Sequence, residues 1–378
     1  MKTNYTILLL TFMLLLIGCS SSDDAPQPEP LYWQKITTGQ RHALALRSDG
    51  TLWAWGWNAF GQLGDGTEID RVSPVQVGTD NDWKDIYAGS YHSMAIKTNG
   101  MLWGWGNNNG LQVGNNSNAD QPTPVQIGNA TWENLALGDL FSIGLQTNGT
   151  LWGWGANFWG MLGLGEEIDG CAVPTQIGTA NDWIDIGVGS HHTLAKKANG
   201  NLWGWGFNIE GPLLSMPYDF VYEPIQVTSA AMHNWKMLAG GTHSIAMKTN
   251  GKIYGWGTNI WGEIGSSDID EVRVPMMQIG NDTWTMIDAA VYVSAGIKSD
   301  GTLWIWGSNQ QGQLGLLGQD YYTVPTQLLP GNNWVAVSVG DAHGLALNAD
   351  HELWGWGHPG PMINAPGQTT PVLIPCPQ

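Results

Sequence analysis

The stretch GTLWAWGWNAFGQLGDG, residues 50 to 66, decides the fold. It places Trp53, Trp55 and Trp57 within five residues and then runs into glycine. Near-copies follow: GMLWGWGNNNGLQVG from 100, GTLWGWGANFWGMLG from 149, GNLWGWGFNIEGPLL from 200, GKIYGWGTNIWGEIG from 251, GTLWIWGSNQQGQLG from 301 and HELWGWGHPG from 351. Measured from Trp53, the equivalents Trp103, Trp152, Trp203, Tyr254, Trp304 and Trp354 lie 49 to 51 residues apart. A fixed period of that size belongs to solenoids and propellers, where each unit buries its apolar face only against its neighbours.

Working outward, each copy is preceded by a tryptophan (Trp33, Trp83, Trp132, Trp183, Trp235, Trp284, Trp334) and followed by a proline (Pro74, Pro124, Pro174, Pro224, Pro275, Pro325, Pro371). Four short strands fit between these markers. In the second copy they are Asp85 to Ala88, His92 to Lys97, Met101 to Trp105 and Pro124 to Ile127. Asp-Gly or Asn-Gly pairs such as Asp49-Gly50 and Asn99-Gly100 stand between the second and third strands and predict two-residue type I′ turns. The proline marks the fourth strand as an edge, where no ladder donor is missed. In LWAWG, Leu52, Ala54 and Gly56 share one face and Trp53 and Trp55 the other, so the tryptophans fill the space between units. Seven units of four antiparallel strands predict an all-β, seven-bladed β-propeller.

These residues resemble a known family. The pattern W..I..G..H..AL..DG.LW.WG.N..GQLG, followed by a proline, is similar to the repeat of the regulator of chromosome condensation over residues 33 to 375. The resemblance implies the propeller. It does not imply one activity, because this fold hosts nucleotide exchange on a small GTPase, ultraviolet-B sensing in plants and inhibition of a β-lactamase. The photoreceptor's GWRHT motif does not occur here.

The amino terminus, MKTNYTILLLTFMLLLIGCSSSDD, carries an apolar run from Ile7 to Ile17 that is too short to span a bilayer and suits a signal peptide. Leu16-Ile17-Gly18-Cys19 resembles a bacterial lipobox, which implies a lipid on Cys19. The expected organisation is therefore a signal peptide at 1–18, a polar, acidic and proline-rich tether at 19–31, and the propeller at 32–378. The serines with Asp23 and Asp24 also resemble surface-export signals of Gram-negative lipoproteins, so the expected address is the cell envelope, on the outer membrane.

With 14 Lys and Arg against 32 Asp and Glu, the net charge of −18 argues against nucleic acid as a partner. Cys171 and Cys376 fall far apart in a ring, which argues against a disulfide. Histidines at 42, 92, 192, 243 and 343 occupy one repeat position, held by Phe141 and Val293 in the other copies. Replacement by apolar residues indicates packing, and no metal or cofactor is expected. The asparagines at 58, 108, 157, 208, 259 and 309 read as turn-closing residues. The acidic triplets Glu68 to Asp70, Glu167 to Asp169 and Asp268 to Asp270 read as solvated loops, with calcium as the alternative.

Catalytic signatures such as GxSxG, HExxH or a phosphate loop are absent. What varies between copies is the face formed by the turns between first and second strands and the loops between third and fourth. It gathers Phe60, Tyr91, Phe158, Trp159, Phe220, Tyr222, Trp261 and Tyr292. Aromatics on loops mounted on a rigid frame suit recognition of a protein or glycan by a monomeric, lipid-anchored binding protein without catalysis. The alternative is a polysaccharide-acting enzyme or an enzyme inhibitor built on the same fold.

Overall fold

In the computed structural model, the described residues are 30–378, apart from 210, 215–218, 228–232, 268–271, 332 and 359–368. Cys19 therefore lies outside the described residues.

Blade one pairs four antiparallel strands in chain order: Trp33–Thr38, His42–Arg47, Leu52–Gly56 and Arg71–Gln76. The arrangement occurs seven times in all. In blades two and three it is fused, because the fourth strand of one runs unbroken into the first strand of the next over Gln121–Leu137. The described residues contain no helix.

Second strands lie between two neighbouring blades, so both of their faces are covered. All six residues of HALALR, His42–Arg47, are buried. Fully burying a leucine such as Leu44 is worth about 2 kcal/mol. Fourth strands form the outer edge and keep exposed positions, and Pro74 sits there beside a register shift at Ala54 to Gly56.

The two tryptophans of LWGWG have different roles. The second, represented by Trp105, Trp205, Trp306 and Trp356, is fully buried, and its indole N–H donates to a carbonyl of the preceding blade: Gln62, Met161, Glu263 and Gln313, at 2.9 to 3.0 Å. The first packs edge-on against the tryptophan that opens the blade, as Trp53 does on Trp33 with centroids 6.1 Å apart. A cation covers that pair in several blades; Lys97 lies 4.8 Å from Trp83 and 5.0 Å from Trp103.

The hairpin turns differ from the expected type I′ geometry. Gly50 alone of the Asp49-Gly50 pair has positive φ, 81°, its N–H bonds Arg47 O, and Arg47 N–H bonds Thr51 O. That is a three-residue loop, a type I turn closed by a left-handed glycine. The Asp or Asn side chain caps it, with Asp49 accepting from both the Thr51 amide and hydroxyl. In blade seven, His351 takes the glycine's place at φ 62°.

Blade seven closes on blade one without a shared strand. Thr38 N–H donates to Ser338 Oγ at 3.1 Å, and Arg47 reaches the Pro377 carbonyl at 2.8 Å. The histidines are buried, and Nε2 of His42, His92, His192 and His243 meets Ser93, Ser142, Ser244 and Ser294 of the following blade at 2.7 to 2.9 Å. The asparagines close the long loops as expected: Asn58 accepts from Leu63 N and donates to the carbonyls of Thr67 and Ile69.

Candidate recognition face

The short turns and long loops share one end of the barrel of blades. Trp57 N–H donates to Arg41 O, Phe207 N–H to His191 O and His358 N–H to Ala342 O, at 2.7 to 2.9 Å. Each long loop thus starts on the carbonyl of its own blade's short turn. First strands of all seven blades line a central cavity of about 260 Å³.

Two carboxylates stand at its mouth, Asp139 and Asp341. Asp139 accepts from Ser90 Oγ at 2.5 Å and lies 3.2 Å from His191 Nε2. Asp341 accepts from Gln40 Nε2 at 2.7 Å and from Val291 N at 3.3 Å. Burial pushes the Asp341 carboxyl up to about 6, the Asp139 charge adds to the rise, and the Gln40 bond and the Arg41 charge oppose it. Deeper in, burial raises Asp288 to about 6 as well, against the bond it accepts from Val339 N at 2.8 Å.

Around this mouth the expected aromatics fall into groups. Phe60 and Tyr91 join Trp57 in an edge-to-face triad with centroids 5.3 to 5.9 Å apart. The Tyr91 hydroxyl is pushed up by burial and bonded by Gln40, which ties the triad to Asp341. Trp159 packs on His191 at 4.5 Å and on Phe207 at 5.9 Å, and Phe220 and Tyr222 extend that row. Trp261 faces Tyr321 at 6.2 Å. Tyr292 stands in the blade-six turn at φ 59°. Phe158 points outward, 61% exposed. Part of the aromatic set thus covers blade edges, and part meets solvent.

Sequence reasoning did not single out Asp139 and Asp341. The signal was present, since both directly follow the glycine after the first strand, at the position where the other five copies carry Gln40, Ser90, Ser190, Gly241 and Val291. The acidic loop at Glu68 to Asp70 is built into the hydrogen-bonded loop: Asp70 accepts from Asn58 N, and nearby Asp65 binds Thr67 and Arg71. Asp268 to Asp270 lies outside the described residues. Among the described residues no three His, Cys, Asp or Glu side chains converge as a metal site.

Residues 49–96, 99–145, 148–195 and 300–347 match the regulator of chromosome condensation (RCC1) repeat, and a second form of that repeat matches 33–62, 83–112 and 183–211. The chain belongs to the RCC1 repeat family. Among curated relatives it is similar to the ultraviolet-B receptor UVR8 of Arabidopsis thaliana, 58% identical over 43 residues, 11% of this chain and 10% of that protein. The match thus spans about a tenth of the relative's own length. Among solved structures it resembles yeast RCC1 (Prp20), crystallised with Kap60, at TM-score 0.75 and 21% identity over 84% of this chain and 81% of that one. Human WBSCR16 is similar at TM-score 0.75 and 22% identity, covering 84% and 87%. These RCC1-type structures share the all-β propeller architecture.

Proposed function

We propose that this RCC1-type propeller is a non-catalytic binding protein that recognises its partner with the loop face and is held at the cell envelope by a lipid on Cys19. The observation that carries the reading is the pairing of an aromatic rim with carboxylates at the mouth of the central cavity. Rims of this composition suit recognition, because large rings bury much area at small entropic cost. The yeast neighbour was crystallised with Kap60 bound to it, which supports a protein as the class of partner. No residue is assigned a catalytic role.

The test is capture of envelope components by the purified protein. Trp159→Ala with Trp261→Ala should abolish retention while the chain stays folded, its melting temperature lowered only by the lost ring packing of Trp159, and variants at Asn99 or Asn250, at the opposite end, should retain it. The reverse pattern sinks the loop-face reading. Independently, Cys19→Ser should move the protein into the soluble fraction, and a variant still membrane-bound after a high-salt wash refutes the anchor.

A further inference from the structure

The position after each loop asparagine holds Ala59, Asn109, Phe158, Ile209, Ile260 and Gln310. Blades three, four and five, consecutive in the ring, thus set an apolar side chain at one equivalent place on the loop face. Phe158 is 61%, Ile209 43% and Ile260 49% exposed. The asparagines beneath are buried and accept the N–H of Leu162, Leu213 and Ile264, so the loop backbone that presents the apolar residues is fixed. Exposed apolar side chains repeated at one equivalent place on neighbouring blades, over a fixed backbone, suit a docking site.

The charge beside this arc limits what can cover it. Asp139, in the turn of blade three, keeps 29% side-chain exposure beside Ser90 Oγ and His191 Nε2, with no Lys or Arg paired to it among the described residues. Glu166, Glu167 and Asp169 stand exposed in the long loop of the same blade. Arg41 lies across the mouth, near Asp341 and Tyr91. A second copy would bring its own net charge of −18, and an anionic lipid surface would be repelled. A neutral glycan would leave the acidic charge of Asp139, Glu166 and Glu167 unmatched, and two of the three arc residues, Ile209 and Ile260, offer no flat face for a sugar ring.

We infer that blades three to five dock a protein segment that lays apolar side chains on Phe158, Ile209 and Ile260 and holds an arginine or lysine over the cavity mouth at Asp139. The inference rests on the loop-face reading above. An arginine is suited to the place, because its planar fork pairs with a carboxylate while stacking on rings such as Trp159.

The probe is a fluorescent twelve-residue peptide of alternating leucine and arginine, titrated into the full chain, beside matched peptides with every Arg→Glu or every Leu→Ser. Phe158→Ser with Ile260→Ser, and separately Asp139→Asn, should each weaken the first peptide by roughly tenfold or more. Asp182→Asn is the control for bulk charge, because Asp182 pairs with Lys197 at the opposite end. Equal affinity across all variants means unspecific attraction to an acidic protein and overturns the inference, as does tight binding of the Leu→Ser peptide. If a neutral oligosaccharide binds the wild type and is lost in the arc variant while the peptide does not bind, the segment is wrong although the loop face stands.

Discussion

His42 Nε2 lies 2.8 Å from Ser93 Oγ, so a buried pair bonds blade one to blade two, and the same serine donates onward to Gln62 O in the loop of blade one. Three parts of two blades meet at one hydroxyl. Ser93→Ala leaves the imidazole Nε2 without a partner in a dry interface, which costs about 1–3 kcal/mol. Chemical denaturation should show that loss at an unchanged m-value. A loss within experimental error would show that the pair contributes no stability.

Acidification should unfold the ring. Burial lowers His42, His92, His192 and His243 to about 3 and His343 to about 4, against 6.5 for an exposed histidine. The unfolded chain therefore binds more protons below 6.5, and stability present above that pH is lost as pH falls towards 3. Asp288 and Asp341, raised to about 6 from 3.8, act with opposite sign between 6 and 3.8, but two carboxylates oppose five histidines. Each histidine contributes at most about 1.4 kcal/mol per pH unit. Melting temperature should fall steadily from pH 7 to 4, and His42→Phe, which copies what blade three does at Phe141, should flatten the slope. A pH-independent melting temperature would mean that the imidazoles are not buried neutral.

His351 stands where the other six turns have glycine, at φ 62°. A side chain in the left-handed region costs roughly 1–2 kcal/mol relative to glycine. His351→Gly should therefore raise stability by about 1 kcal/mol, less whatever its ring contact with Tyr32, centroids 4.0 Å apart, contributes. A destabilised variant would show that the Tyr32 contact outweighs the backbone strain.

The architecture was legible because its cause is periodic. One tryptophan ruler, one hairpin glycine and one edge proline recur per blade, and packing against identical neighbours leaves little choice. The turn type was misread because Asp-Gly suits both the two-residue loop and the type I turn with a left-handed glycine; only the Arg47 to Thr51 bond separates them. The face was legible from strand alternation. Its chemistry was not, since which aromatics turn inward depends on neighbours in the next blade, as Trp159 meeting His191 shows. Asp139 and Asp341 come together only through ring closure, across a sequence separation that no local pattern encodes.

Gly340 marks that closure. A Cβ there would lie 2.2 Å from Gly39 O and 2.7 Å from His343 Cε1, and neither a backbone carbonyl nor a buried ring can yield cheaply. Gly340→Ala should therefore force blades seven and one apart, at about 1–3 kcal/mol for an overpacked contact. Like every neighbouring pair except blades two and three, the first and last blades share no strand, and the seam between them is held by contacts such as the Thr38 N–H bond to Ser338 Oγ. Strain introduced there is relieved most easily by local opening, so hydrogen exchange at the Thr38 amide should accelerate far more than at the Trp205 indole in blade four, which is bonded to Met161 O. Equal acceleration at both sites would show that the ring yields as one cooperative body and has no weak seam.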